Sequence, residues 1–158
     1  MGESRIYPVA NTYTALHYHI VFSTKNRQPL IGAQVRERIW AFLGGIARED
    51  DMRALGIGGT ADHIHLLIIA PASLALSKMV QLLKGGSSKW IHETFPQMHN
   101  FAWQDGYGAF TVSRSQIPEI IRYIQGQPEH HRAKTFQEEY LDFLEKNGIE
   151  YDKRYVWG

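Results

Sequence analysis

Residues 52–70 read MRALGIGGTADHIHLLIIA, two apolar segments joined by a stretch rich in glycine. The segments 52–58 and 62–70 are short and rich in aliphatic residues, which predicts two consecutive β-strands. The GIGGTAD stretch is typical of a connection, and Pro71 ends the second strand because proline cannot donate a ladder hydrogen bond. The predicted fold extends outward from this pair of strands.

The second of these strands carries two histidines, His63 and His65, two positions apart. Alternate side chains of a strand point to the same side, so both imidazoles share one face while Ile64 points into the core. Such a pair can chelate one metal ion, and Asp62 stands where it can orient a histidine ligand by a hydrogen bond. The HYH triplet at 17–19 lacks an adjacent acidic residue and a glycine-rich lead-in, so it is not assigned to a metal. By itself, the spacing is also common among structural histidines.

The flanking sequence predicts three helices and two further strand segments. They are a strand over 13–23, a helix over 33–48, a helix from Ser73 to about His92, a strand or hairpin over 101–113 and a helix that starts near Pro118. Ser73 is the predicted N-cap of its helix, and Pro118 suits a first helical turn. This order predicts an α+β fold, a split β-α-β arrangement with an antiparallel sheet and helices packed on one face.

Length and composition favour one domain over residues 1–158. Within it we expect a flexible lead over 1–12 and a C-terminal extension over 135–158 that packs on the domain. The absence of cysteine excludes disulfides, a thiolate nucleophile and a cysteine-ligated zinc site, which leaves the eight histidines as metal-ligand candidates. No stretch approaches the roughly 18 apolar residues of a membrane span, so we expect no membrane partner and a cytoplasmic protein.

The formal net charge of +1 gives no overall sign of nucleic-acid binding, so the case depends on where the charges stand. The regions 4–36 and 73–92 carry basic residues without a carboxylate, whereas acidic residues concentrate in 138–152. The candidates for contacts with DNA phosphates are Lys25, Arg27, Lys84, Lys89 and Arg114, with the hydroxyls of Ser87 and Ser88 as hydrogen-bond donors. Each of these residues, taken singly, also fits an ordinary solvated surface.

The segment IIRYIQGQPEHH at 120–131 is predicted to begin as a helix. Tyr123 and Gln127 stand four apart, hence on one helical face, while the isoleucines cover another. Gln127 precedes Pro128, which disfavours α geometry at residue 127, and with Gly126 alongside we expect the helix to kink or end here. A surface tyrosine beside a polar glutamine is the alternative interpretation.

Five motifs extend these observations over nearly the whole chain. They are HYHIVFSTKNRQPLI at 17–31, DHIHLLI at 62–68, LLKGGSSKWI at 82–91, WQDGYGAFTVS at 103–113 and RYIQGQPEHHRAKTFQEEYLDFL at 122–144. A His-hydrophobic-His triplet alone is a weak signal. Followed in order by a Lys-Gly-x-Ser-Ser-like element, Gly-Tyr-x-x-Phe and Tyr-x-x-x-Gln, it resembles the single-tyrosine HUH transposases of the insertion sequence 200/605 type, the IS200-like transposases.

The resemblance implies a ferredoxin-like or RNA-recognition-motif-like fold whose C-terminal helix carries the catalytic tyrosine. It implies that Tyr123 attacks single-stranded DNA at hairpin-bearing element ends through a 5′-phosphotyrosine intermediate, and that the metal ligands are His63, His65 and Gln127. Two imidazoles alone would favour zinc, but an amide oxygen and phosphate oxygens suit Mg²⁺ or Mn²⁺, the ions that the family indicates. Family members act as homodimers, so composite active sites are expected, with imperfect DNA hairpins as partners. Gly126 departs from the family pattern, as does the proline at position 128.

Three alternatives stay open at the level of the sequence. A domesticated REP-associated tyrosine transposase acting on genomic palindromes would carry the same residues. A non-catalytic nucleic-acid-binding module would share the fold but would have no use for a chelating histidine pair facing a tyrosine. A metal phosphoesterase that uses activated water would not need Tyr123.

Overall fold

The computed structural model of the chain describes residues 11–157. The flexible lead expected over residues 1–12 therefore lies, except for its last two residues, outside the described part of the chain. Within residues 11–157, no helix is both long and apolar enough to cross a membrane.

The described chain alternates strands and helices before ending in helices. The strands are β1 (His17–Ser23), β2 (Arg53–Gly59), β3 (His63–Ile69) and β4 (Gly108–Thr111). The helices are α1 (Ala33–Glu49), α2 (Leu76–Thr94), α3 (Ile117–Gln125), α4 (Gln127–His130) and α5 (Phe136–Lys146). The strands form one antiparallel sheet in the order β2-β3-β1-β4. This arrangement confirms the predicted α+β class with an antiparallel sheet.

The alternation of side chains in β3 separates two sides of the sheet. Ile64, Leu66 and Ile68 are fully buried in the apolar cluster that α1 and α2 complete. Residues between these positions point the other way. His63 and His65 therefore lie together on the opposite face of the sheet.

The C-terminal helices cover this second face, a location that the prediction of helices on one face did not include. In α5, Phe136 and Tyr140 pack with Val21 of β1, and Ile124 of α3 packs with Leu67 of β3. These strand residues are apolar, so both faces of the sheet need a cover. The histidines of β3 are thereby enclosed between the sheet and the C-terminal helices.

Some element boundaries differ from the sequence prediction. α2 begins at Leu76 and no side chain caps its first turn, so the N-cap predicted at Ser73 is wrong. Pro118 lies in the first turn of α3, as predicted. The strand or hairpin predicted over 101–113 is reduced to β4, since the preceding residues make an isolated bridge just beyond the end of β1.

Gly58 on β2 lets the end of α3 approach the sheet closely. It is the cross-strand partner of His65 and faces the same side of the sheet. A Cβ added at Gly58 would lie 2.5 Å from the carbonyl oxygen of Ile124, a backbone atom that cannot rotate away. We expect Gly58→Ala to push α3 outward and to lower the free energy of unfolding by about 1–3 kcal/mol.

Urea unfolding followed by circular dichroism measures this loss. Gly85→Ala is the control, because Gly85 lies within α2 with open space at its Cβ position. Alanine there should raise the free energy of unfolding by about 0.5–1 kcal/mol. A Gly58→Ala chain as stable as the native one would contradict the close packing of α3 on β2.

Candidate active site and metal centre

His63 is held at the start of β3 by the loop that precedes the strand. Its Nδ1 lies 2.8 Å from Oδ1 of Asp62, and the Thr60 hydroxyl donates to the same oxygen at 3.0 Å. Burial raises the pKa of Asp62, but the hydrogen bond and charge of His63, with the hydrogen bond from Thr60 and the charge of His131, together hold that pKa below its usual value. The ionised carboxylate selects the tautomer in which Nδ1 of His63 carries the hydrogen. Nε2 of this fully buried ring is left as a lone-pair donor that points into the site.

His65 lies between a carboxylate and a second imidazole. Its Nε2 is 2.8 Å from Oε1 of Glu139, and its Nδ1 is 2.8 Å from Nε2 of His19 on β1. While no ion is bound, Nε2 of His65 donates to the ionised Glu139 carboxylate, which only accepts, and His19 donates to Nδ1 of His65. To bind a metal through Nε2, His65 would carry its hydrogen on Nδ1 instead and donate it to Nε2 of His19. Burial lowers the pKa of His65 to about 4. Burial, with the neighbouring His65, lowers the pKa of His19 to about 3, so both rings are neutral near pH 7, the form that binds metals.

His19 belongs to the triplet at 17–19 that the sequence analysis did not assign to the site. In the antiparallel pairing of β1 with β3, Val21 lies opposite His65 and His19 lies opposite Leu67. The buried His19 ring thus shares the face of His65 and contacts it from the side away from Glu139. The alternation within HYH carried this signal, but no local pattern shows which strand becomes the neighbour of β3.

Gln127 reaches the histidines because the helix that carries Tyr123 breaks just before it. α3 ends at Gln125, Gly126 follows, and Gln127 begins α4, so the expected kink or end is present. The Gln127 side chain is fully buried, and its Nε2 donates to the carbonyl of Tyr123 at 3.3 Å. Its Oε1 lies 2.9 Å from Nε2 of His63. With the hydrogen of His63 on Nδ1, the two facing atoms are both lone-pair donors, an arrangement that a cation would stabilise.

This set of donors fits a divalent metal ion. Neighbouring ligands of an octahedral ion with bonds of about 2.1 Å lie about 3 Å apart. The distance between Nε2 of His63 and Oε1 of Gln127 is 2.9 Å. Four potential ligand atoms also lie within 4.8 Å of one another, one from each of His63, His65, His131 and Glu139. The donors therefore suit an ion that keeps positions open for water and substrate oxygens.

Tyr123 lies half-buried on α3 with its hydroxyl at the edge of this cluster. The hydroxyl donates to Oε2 of Glu139 and lies 3.4 Å from Nε2 of His130. Burial raises the pKa of Tyr123 well above its usual value, and the Glu139 carboxylate adds to the rise. The phenol is therefore protonated at neutral pH and needs activation to act as a nucleophile. It borders a cavity of about 520 Å³ whose lining includes Arg122 and Lys134.

Glu139 and His131 also lie in the cluster, although neither residue was predicted there from the sequence. His131 donates from Nε2 to Oε2 of Glu139 at 3.1 Å and from Nδ1 to the carbonyl of Lys134 at 2.6 Å. Burial lowers the pKa of His131, but the hydrogen bond and charge of Glu139, the carbonyl of Lys134 and the charge of Asp62 together raise it. Burial raises the pKa of Glu139, but the hydrogen bonds from His131, His65 and Tyr123 and the charge of His65 together lower it well below its usual value and keep the carboxylate ionised. The available signal was the position of Glu139 three residues after Phe136, on the buried side of α5.

Most of the predicted DNA contacts have side chains that solvent reaches. Lys25, Lys89 and Arg114 are exposed, and Arg27 and Ser88 are half-buried. The Arg27 guanidinium lies 5.0 Å from the centre of the Trp157 ring, a cation–π contact. These five side chains are accessible to a phosphate backbone.

Lys84 and Ser87 change the predicted DNA surface. The Lys84 ammonium donates to the carbonyls of Gln104 at 2.7 Å and Gly106 at 2.5 Å, and burial lowers the pKa of Lys84 to about 8. The Ser87 hydroxyl is fully buried, donates to the preceding turn of α2 and accepts from Nε1 of Trp103 at 3.0 Å. Both groups hold α2 to the segment before β4. The expectation of a surface hydroxyl at Ser87 is wrong, because α2 turns that residue toward the core.

Three known proteins are similar to this chain in sequence or fold. The ISDra2 transposase TnpA of Deinococcus radiodurans is 27% identical over 117 residues, which cover 71% of this chain and 84% of that protein. The transposase for insertion sequence element IS200 of Salmonella typhimurium is 29% identical over 137 residues, 84% of this chain and 88% of that protein. A REP-associated tyrosine transposase, solved bound to a REP hairpin, matches with a TM-score of 0.58 at 14% identity. That match covers 83% of this chain and 74% of the solved one, and at this identity it shows the fold alone.

The family profile described as "Transposase IS200 like" matches residues 12–127. The matched segment runs from just before β1 to the first residue of α4 and holds both histidines of β3, Tyr123 and Gln127. It spans well over half of the 158 residues. The chain therefore belongs to the IS200-like transposase family.

Proposed function

We propose that this transposase cuts and rejoins single-stranded DNA by transesterification, with Tyr123 as the nucleophile and a divalent metal ion held by His63, His65 and Gln127. One observation carries the proposal. The Tyr123 hydroxyl, the two β3 imidazoles and the Gln127 amide converge on one cluster within a single chain, beside a cavity. A binding module that performs no chemistry would gain nothing from that convergence.

The reaction that these groups support conserves the energy of the phosphodiester. The Tyr123 oxygen forms a bond to phosphorus while the bond from phosphorus to the 3′ oxygen breaks. The products are a 5′-phosphotyrosine and a free 3′-hydroxyl, which has taken up a proton to balance the one that the phenol lost. A second 3′-hydroxyl can then reverse the step and join a new strand. The metal would supply positive charge at the scissile phosphate.

Mg²⁺ or Mn²⁺ is the ion that we propose for this site. The donors combine two neutral imidazoles with an amide oxygen, and phosphate oxygens would add further hard ligands. A structural zinc site would instead show a closed set of four protein ligands.

Imperfect hairpins in single-stranded DNA are the proposed substrate. The fold match to a REP-associated transposase that was solved with a hairpin supports this choice. We propose that Lys25, Arg27, Lys89 and Arg114 contact phosphates and that Ser88 donates a hydrogen bond. That the protein forms a homodimer stays a prediction, and so does its location in the cytoplasm. The described contacts bring Tyr123 to the histidines of its own chain.

The direct test incubates the protein and Mn²⁺ with single strands that carry the imperfect hairpins flanking its own gene. A strand labelled at its 3′ end should give a labelled protein adduct that survives SDS, because the 5′-phosphotyrosine joins the protein to the 3′ fragment. The same strand labelled at its 5′ end should release a shorter fragment ending in a 3′-hydroxyl. Excess EDTA should reduce both products to background.

The label positions separate the alternatives. Cleavage that leaves no protein on either fragment would indicate hydrolysis by activated water and would overturn the proposed nucleophile. Binding without cleavage on every hairpin would indicate the non-catalytic module. Full activity in EDTA would rule out the metal.

A further inference from the structure

Glu139 is a buried carboxylate that faces the candidate metal ligands and the candidate nucleophile at the same time. Its side chain is 2 % exposed. A carboxylate in such a place is costly unless its oxygens are satisfied by cations or hydrogen bonds. It lies on α5, beyond the end of the family match at Gln127. The family match therefore does not include Glu139.

The two oxygens of Glu139 have different partners. Oε1 faces the histidine ligands, at 2.8 Å from Nε2 of His65 and 3.8 Å from Nε2 of His63. Oε2 accepts the hydroxyl hydrogen of Tyr123 and lies 3.1 Å from Nε2 of His131. One carboxylate thus connects the metal side of the site to the nucleophile side.

The position of Oε1 also agrees with the spacing of metal ligands. Its 2.8 Å distance to Nε2 of His65 matches the 2.9 Å distance between Nε2 of His63 and Oε1 of Gln127. Both distances are close to the ~3 Å separation of neighbouring ligands around a small octahedral cation. An anionic oxygen at this point would also offset part of the ion's charge, which the three neutral donors cannot do.

The surroundings of Glu139 keep the carboxylate in this orientation. Thr135 caps α5 by accepting a hydrogen bond from the backbone of Glu138, which fixes the first helical turn. His131, itself bonded to the carbonyl of Lys134, donates a hydrogen bond to Oε2. The carboxylate is therefore positioned by the backbone of two segments.

We propose that Glu139 is a fourth protein ligand of the metal ion, through Oε1, and that through Oε2 it fixes the Tyr123 hydroxyl beside that ion. The inference deepens the proposed function and rests on it. The nucleophile and the metal are then joined by one side chain of α5, so a change at Glu139 affects both. The C-terminal helix becomes part of the active site.

The first test measures metal binding without DNA. Mn²⁺ is titrated into the full chain, and the free ion is read from its electron paramagnetic resonance signal. Glu139→Gln should weaken Mn²⁺ binding by at least about 10-fold. Glu138→Gln is the matched control, because the neighbouring glutamate is exposed and lies outside the cluster. It should bind Mn²⁺ as the native chain does.

A second variant guards against misfolding. Glu139→Asp keeps the charge but is one methylene shorter, so one carboxylate can no longer reach both His65 and Tyr123. It should retain a cooperative unfolding transition, bind Mn²⁺ more weakly than the native chain, and form less adduct even at saturating Mn²⁺. Native Mn²⁺ affinity in both Glu139 variants would overturn the proposal.

The experiments distinguish a failure of the proposed function from a failure of the role of Glu139. The proposed function fails when the native chain forms no adduct. The role of Glu139 fails when the native chain forms the adduct and the Glu139 variants match it in Mn²⁺ affinity. A loss of stability with unchanged Mn²⁺ affinity would assign Glu139 a purely structural role and would likewise overturn the proposal.

Discussion

Tyr123→Phe should lower formation of the covalent protein–DNA adduct by a factor on the order of 10³ or more, because it removes the nucleophilic oxygen and little else. The aromatic ring keeps its edge contacts with His19, His65 and Phe143. Glu139 loses one donor but retains those of His65 and His131. We expect DNA binding to stay within a few-fold of native. The adduct is measured on SDS gels with a 3′-labelled strand, and binding is measured by gel shift.

Tyr18→Phe is the control for this substitution. Tyr18 lies on β1 and packs against the cluster on the α1 and α2 side of the sheet, away from the candidate site. Its variant should form the adduct at the native rate. A Tyr123→Phe chain that still forms an SDS-stable adduct would mean that another nucleophile carries the reaction.

The histidine pair is the part of the site that local sequence predicts best. The two-residue period of a strand places His63 and His65 on one face whatever the rest of the chain does. Asp62, adjacent in sequence, needs no long-range information to reach Nδ1 of His63. The break was also expected from local chemistry, but it falls at Gly126 rather than at Gln127, the residue before the proline. Gln127 begins α4, and Pro128, which has no N–H to donate, lies in the first turn of that helix.

The partners from other elements could not be derived in this way. His19 contacts His65 only because β1 pairs with β3 in one particular register, and that register is a property of the whole sheet. Glu139 shows the same limit from the side of a helix. The apolar spacing of α5 predicts that one side of it is buried, but not that this side meets His65.

The error at Ser87 has a related origin. The sequence Gly-Gly-Ser-Ser suggests an exposed, polar part of α2, and nothing in it distinguishes the two serines. Helical rotation turns Ser87 to the core, where the indole of Trp103 donates to it, and leaves Ser88 half-buried. The partner lies sixteen residues away, so only the tertiary fold assigns the two hydroxyls to different roles.

His63→Ala should weaken Mn²⁺ binding by a factor on the order of 100 or more and remove metal-dependent cleavage with it. Nε2 of His63 lies 2.9 Å from Oε1 of Gln127, and the variant leaves that amide oxygen and the Asp62 carboxylate without their shared partner. The same Mn²⁺ titration and the 3′-label assay measure the two losses. His99→Ala is the control, since His99 is exposed and far along the chain in the segment after α2. Native cleavage by His63→Ala, still sensitive to EDTA, would place the metal elsewhere.

Mixing the two inactive variants then tests which chain supplies the tyrosine. The Tyr123→Phe chain keeps a complete set of metal ligands, and the His63→Ala chain keeps the nucleophile. In the described structure Gln127, four residues beyond Tyr123, reaches His63 of the same chain. A site built this way gives no recovery, because every chain lacks one essential group. Recovery in proven mixed dimers would show instead that Tyr123 of one chain serves the histidines of its partner, and would establish the composite site that the family resemblance implies.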